Sequence, residues 1–87
     1  DKAAVRALLE GVDAVVHLGG VSTEHAWETV AGPNVHGVVH LYEAARVHGV
    51  KRIVFASSNH ATGYYRQDEV IGTDAPAKAD GFYGLSK

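Results

Sequence analysis

Two short apolar runs constrain this chain more than anything else in it. Ala14–Leu18 (AVVHL) and Ile53–Ala56 (IVFA) are continuous in character rather than alternating. Each stops abruptly in different chemistry: the pair Gly19–Gly20 after the first, and Ser57, Ser58, Asn59 and His60 after the second. A strand apolar along both faces is buried on both, the mark of a parallel sheet covered by helices. Parallel neighbours need a crossover, and the segments between and around the runs read as helices. DKAAVRALLEG carries Val5, Leu8 and Leu9 at helical spacing, with Gly11 as a left-handed stop. Ser22 or Thr23 is placed to cap a short helix through Ala26 and Trp27, which Gly32 and Pro33 interrupt. NVHGVVHLYEAARVHG restarts a helix at Asn34, with Val38, Leu41, Tyr42 and Ala45 on one face and Gly49 at its end. A long loop holding Gly63, Gly72 and Pro76 precedes DGFYGLSK, which opens a final helix. The expectation is an α/β chain in which residues 13–18 and 52–57 lie as neighbouring parallel strands, with Gly20 and Ser58 opening into one crevice.

Composition narrows the function. The 87 residues are 46% hydrophobic and 21% charged, as in a soluble globular domain. A formal net charge of −2 without a basic cluster argues against nucleic acid and anionic membrane as partners. No cysteine is present, which removes disulfides, thiolate nucleophiles and thiolate metal sites and agrees with a cytoplasmic setting. No apolar stretch approaches the roughly 20 residues of a membrane span. His36 and His40 stand at metal-ligand spacing, but no third ligand is spaced to join them, so no metal is expected. His17, inside an apolar strand, reads as a satisfied core histidine, and Trp27 and Tyr42 as packing residues.

In open parallel sheets, ligands bind beyond the carboxyl ends of the strands. Both strand ends here carry small or neutral hydrogen-bonding residues, so the polar cluster after Phe55 sits where a ligand belongs. Tyr83 and Lys87 in YGLSK stand at i and i+4, on one face of a helix. A phenol is a poor base at neutral pH, but an ammonium nearby favours the phenolate, and a serine hydroxyl shares the proton path. Each of these residues also has a plainer reading. Tyr83 and Lys87 as an exposed pair, Ser58, Asn59 and His60 as turn residues, Gly19–Gly20 as a tight turn and Ser22 as a helix cap all need no ligand.

Tyr-x-x-x-Lys, a serine at the preceding strand end and a strand closing in HLGG together resemble the extended short-chain dehydrogenase/reductases, the NAD-dependent epimerase/dehydratase family. The likeness spans essentially the whole chain. It aligns FASSNHATG so that Ser58, not Ser57, takes the catalytic serine's place. HLGGVSTEHAWE, NVHGVVHLYEAARVHG, RIVFASSNHATGYY and DGFYGLSK are most similar to those members that oxidise the anomeric carbon of galacturonate or glucuronate to an aldarolactone. Tyr-x-x-x-Lys alone recurs by chance; the four segments in this order do not. Pro33 departs from the pattern of those members.

The resemblance implies a Rossmann-like doubly wound parallel sheet of which residues 1–87 are the central portion. The first strand, the Gly-rich phosphate loop and the residue binding the adenine ribose are expected before Asp1, because no G-x-G-x-x-G is present. The substrate region, including an arginine for the uronate carboxylate, is expected after Lys87, so the 87 residues alone are expected to be inactive. Also implied are Ser58, Tyr83 and Lys87 as the catalytic set, Leu18, Gly19, Gly20, Asn34, Tyr83 and Lys87 against NAD, and Ser22, Ser58, Asn59, His60 and Tyr83 against the sugar. A homo-oligomer is expected of the full-length enzyme. Two alternatives remain open: a nucleotide-sugar epimerase or dehydratase using the same residues, and a non-catalytic cofactor-sensing member. Asn59 and His60 in place of small apolar residues argue against the first, and retention of both Tyr83 and Lys87 against the second.

Overall fold

Asp1 starts the first helix, its carboxylate accepting from the Ala3 and Ala4 N–H groups at 2.9 and 3.2 Å. In the computed structural model, which describes residues 1–87, helix α1 (Lys2–Leu8) leads into strand β1 (Ala14–His17). A long helical stretch follows: α2 (Trp27–Val30), a π-helical segment (Ala31–His36) and α3 (Gly37–His48). Strand β2 (Arg52–Phe55), a 3₁₀ turn (Asn59–Thr62) and the one-turn helix α4 (Phe82–Leu85) complete the order.

The strands pair in parallel with Ala14 opposite Arg52 and His17 opposite Phe55. An Ala56 N–H to His17 carbonyl bond of 3.0 Å carries the ladder one step further. The expected adjacency and direction are therefore present, with both strands ending short of Leu18 and Ser57. Helices α1 and α3 cover one face. Leu9, Leu41, Ala44 and Ala45 form the buried cluster there, and Val5, Val15, Val50 and Ile53 pack against it. The other face is open, with Val16 66% and Val54 55% exposed. The apolar runs suggested cover on both faces; within these residues only one face has it.

The helix after β1 corrects three further expectations. It starts at Trp27 with Ala26 as its uncapped N-terminal neighbour, so neither Ser22 nor Thr23 caps it. Gly32 and Pro33 do not interrupt it, and Asn34 does not restart it. Pro33 lacks an N–H for the Thr29 carbonyl, and its ring would crowd that carbonyl in a regular α-helix. Widening to π geometry, in which the Gly37 N–H reaches the Gly32 carbonyl, keeps the helix continuous through the proline. In α3, Leu41 and Ala45 are buried as expected, but Tyr42 is 48% exposed and Ala44 takes the inward position instead. His17 stacks on Phe55 with ring centroids 5.8 Å apart, and its buried Nε2 has no partner. It is not the satisfied core histidine that its position in the strand suggested.

Between the 3₁₀ turn and α4, the long loop folds back on itself. Tyr64 N–H donates to the Lys78 carbonyl and Lys78 N–H to the Ala61 carbonyl, both at 2.9 Å. The Lys78 ammonium lies 4.3 Å from the centre of the Tyr65 ring. This closure returns Asp80 to the neighbourhood of His60.

The core is thin. The radius of gyration is 14.7 Å, against about 12 Å for a compact chain of this length. The exposed area is 6193 Å², against about 4,900 Å² for a monomer of this mass. An isolated 87-residue polypeptide is therefore expected to melt in a broad, weak transition at low micromolar concentration. A sharp cooperative transition in calorimetry would contradict this.

Candidate active site

The site is assembled where both strands end. After β1 the chain turns through Gly20, whose φ of +135° is a conformation that side chains resist. A Cβ there would lie 2.5 Å from Asn34 Oδ1. That close approach lets Asn34 reach the next residue. Its Oδ1 accepts from Val21 N–H at 2.7 Å, and its Nδ2 donates to the Val21 carbonyl at 2.9 Å. Nδ2 also donates to Ser86 Oγ at 3.0 Å, and Ser86 Oγ in turn donates to the Tyr83 carbonyl at 2.7 Å. Asn34 is 3% exposed, with its carboxamide engaged by the protein itself.

Helix α4 presents Tyr83, which is buried, and Lys87 just beyond its last turn. The Lys87 ammonium donates to the Ala56 carbonyl at 3.0 Å and lies 5.1 and 5.9 Å from the ring centres of Phe55 and Tyr83. Ser57 Oγ donates to the Lys87 carbonyl at 3.1 Å. The lysine is thereby tethered to the end of β2 and shares a face with the tyrosine. At the other end of α4, the Glu24 carboxylate accepts from the Phe82 and Tyr83 N–H groups at 3.0 and 3.2 Å. Gly81, the N-cap, has no side chain to do so.

Ser58 caps the 3₁₀ turn: its Oγ accepts from His60 N–H at 3.1 Å and points toward Asn59 Oδ1 at 3.4 Å. His60 Nδ1 lies 2.8 and 3.1 Å from the two Asp80 oxygens, and its ring meets Tyr83 edge-on with centroids 5.7 Å apart. The turn is pressed against α4 so closely that a Cβ on Gly84 would overlap the His60 carbonyl. Neither Ser58 nor Lys87 hydrogen-bonds the Tyr83 hydroxyl in this arrangement.

The structure thus brings Ser58, Asn59, His60, Tyr83 and Lys87 together at the end of β2, with Asn34 bracing the glycine turn of β1 against the same helix. Leu18 is 74% exposed, and Ser22 is exposed without a hydrogen bond. Two cavities flank this centre. One of about 500 Å³ runs along Glu24, Tyr64, Asp80 and Phe82, and one of about 290 Å³ lies beside His17, Gly19, Gly20 and Pro33. Within residues 1–87, no one cavity is lined by both Gly20 and Ser58. No helix is long and apolar enough to cross a membrane.

Glu24, Asp80 and Ser86 were not singled out from the sequence. Asp80 had a local signal, since an acidic residue just before GFYG is placed as a helix cap; its carboxylate serves His60 instead. Glu24 had none, because its contacts lie 58 and 59 residues away.

Removing the Glu24 carboxylate leaves two N–H groups of a one-turn helix without acceptors, at a cost of about 1–2 kcal/mol. Glu24→Ala in the full-length protein is expected to lower Tm, and Glu24→Gln, which keeps one acceptor oxygen, to lower it less. Equal melting of all three proteins would remove this role. Gly84→Ala is expected to be the harsher change, since backbone must move to admit the methyl group.

Residues 1–87 match the NAD dependent epimerase/dehydratase family along their whole length. The uronate dehydrogenase of Pseudomonas putida is 68% identical over 87 residues, covering all of this chain and 32% of that protein. The chain spans about a third of the length of the curated relatives it matches. Among solved structures, uronate dehydrogenase from Agrobacterium tumefaciens superposes with a TM-score of 0.94 at 55% identity, covering 99% of this chain and 32% of that one. A mutant of that enzyme complexed with NAD superposes equally well, with a TM-score of 0.94 at 53% identity over 99% of this chain and 32% of that one. With a parallel β1–β2 pair and a Tyr83–Lys87 helix at its carboxyl edge, the chain belongs to the NAD dependent epimerase/dehydratase family.

Proposed function

We propose that these residues form the central part of the NAD-binding domain of a uronate dehydrogenase, which oxidises the anomeric carbon of D-galacturonate or D-glucuronate to an aldarolactone. The observation that carries this reading is the convergence of Tyr83, Lys87 and the Ser58-Asn59-His60 turn at one strand end, in a chain 68% identical to a uronate dehydrogenase.

The residues present fit NAD. Gly19 and Gly20 offer backbone without side chains beyond β1, beside exposed Leu18. Lys87 spends one of its three ammonium donors on Ala56, leaving two for ribose hydroxyls. When bound, NAD supplies the hydride acceptor. Leu18, Gly19, Gly20, Tyr83 and Lys87 line its place, and Asn34 serves the same place by holding Gly20 and Val21 against α4.

Tyr83, as phenolate, takes the proton of the anomeric hydroxyl while the carbon gives up its hydride. The sugar thus loses two electrons and two hydrogens and becomes the lactone. The Lys87 ammonium, held on Tyr83's face of the helix, stabilises the phenolate's charge. Ser58 turns its hydroxyl from Asn59 to the anomeric oxygen and fixes the reacting geometry. Asn59, His60 and Ser22 supply neutral polar groups suited to a polyhydroxylated ring.

In the full-length protein, Tyr83→Phe keeps the ring against His60 but removes the proton acceptor. Turnover of galacturonate and glucuronate, followed as NADH formation, is expected to fall about 10²–10⁴-fold or more. NAD affinity is expected to change little, and Ser58→Ala to lose less activity because it need not ionise. An unchanged kcat for Tyr83→Phe would overturn the chemistry. Activity on UDP-glucose or UDP-galactose with none on free uronates would overturn the substrate reading and favour a nucleotide-sugar enzyme.

A further inference from the structure

We propose that Asp80 is a specificity-determining positioning residue that acts through His60, holding it as the tautomer protonated on Nδ1 and presenting Nε2 as a bare acceptor to a sugar hydroxyl. The proposal rests on reading the site as one for a polyhydroxylated sugar acid, and its first test does not.

Both Asp80 oxygens lie within hydrogen-bond distance of Nδ1, at 2.8 and 3.1 Å. An ionised carboxylate can only accept, so Nδ1 must donate; a neutral imidazole has one N–H, which leaves Nε2 with its lone pair. Among residues 1–87, no group bonds Nε2. The His60 side chain is 53% exposed and that of Asp80 33%, so the acceptor is more open than the group that sets it.

The geometry of the pair is over-determined. Asp80 N–H reaches the His60 carbonyl at 3.4 Å. The carboxylate lies over Gly63, where a Cβ would overlap it, and 3.2 Å from where a Cβ of Gly84 would stand. Tyr83 meets the ring edge-on from a third side. An imidazole fixed in this way selects a ligand that brings a donor. A hydroxyl is accepted, whereas an ether, carbonyl or deoxy position leaves the Nε2 lone pair without a partner. Because His60 stands beside Tyr83 and takes no proton from the anomeric hydroxyl, the effect belongs to binding more than to the chemical step.

The decisive measurement is ¹⁵N NMR of the imidazoles in the full-length wild-type protein, at a pH where the ring is neutral. A protonated Nδ1 and a bare Nε2 at His60 are expected; a protonated Nε2 would overturn the proposal without recourse to any variant. In kinetics, Asp80→Asn keeps the shape but loses the charge, and is expected to mix the tautomers and raise KM for galacturonate about tenfold while kcat changes little. In a His60→Gln background the same substitution is expected to have no further effect, because Asp80 acts only through the imidazole. Loss of kcat at unchanged KM, or full additivity of the two substitutions, would overturn the assignment. Wild-type protein inactive on galacturonate would sink the uronate reading alone, since the NMR result still decides the tautomer.

Discussion

Three hydrogen bonds from one carboxamide hold together segments that chain order keeps far apart. Asn34 pairs with both backbone groups of Val21 and donates to Ser86, joining the turn after β1, the helix between the strands and the helix that carries Tyr83. Each bond is worth only about 1 kcal/mol net. Leaving the Val21 N–H and carbonyl unpartnered in that part-buried setting would cost more, which is why the joint is rigid. It also needs the absence of a side chain at Gly20 and the π-helical widening around Pro33, since Asn34 lies within that segment.

Around this joint, the Glu24 carboxylate does for α4 what its own sequence cannot. A four-residue helix has too few internal hydrogen bonds to offset its nucleation cost. Glu24 closes its first turn from one side, and Asp80 and the His60 carbonyl press against it from another. The proposed base therefore sits on an element with little intrinsic stability, positioned by partners outside it. The surface pair Glu43–Arg46 is different in kind. There the guanidinium holds the Glu43 carboxyl below its usual range, yet both groups are exposed and the pair positions nothing.

Much of the architecture was legible in the residues themselves. The apolar runs at 14–18 and 53–56 require strands, and the helical stretch between them makes the connection a crossover, so the strands must run parallel. Gly49 stops α3 in the left-handed conformation, as its place in the sequence indicated. The i, i+4 spacing of Tyr83 and Lys87 is enough to put the two side chains on one face. What failed did so for identifiable reasons. Ser22 and Thr23 are good caps, but the helix starts beyond their reach. Pro33 ends helices when nothing holds the chain on either side, and here packing on both sides favours a wider helix over a broken one. Val16 and Val54 are as apolar as their inward neighbours, and sequence does not say which face of a strand finds a partner.

By itself, then, the sequence determined the elements that depend on local chemistry: periodicity, glycine stops, and the residue types gathered at the strand ends. Tertiary structure decided everything that depends on distance along the chain. Asn34 meets Ser86, Glu24 meets Tyr83 and Asp80 meets His60 across separations of 52, 59 and 20 residues. Side-chain hydrogen bonds of that span leave no periodicity and no spacing rule in the sequence. They exist only because the paired strands and the crossover bring their ends to one edge of the sheet.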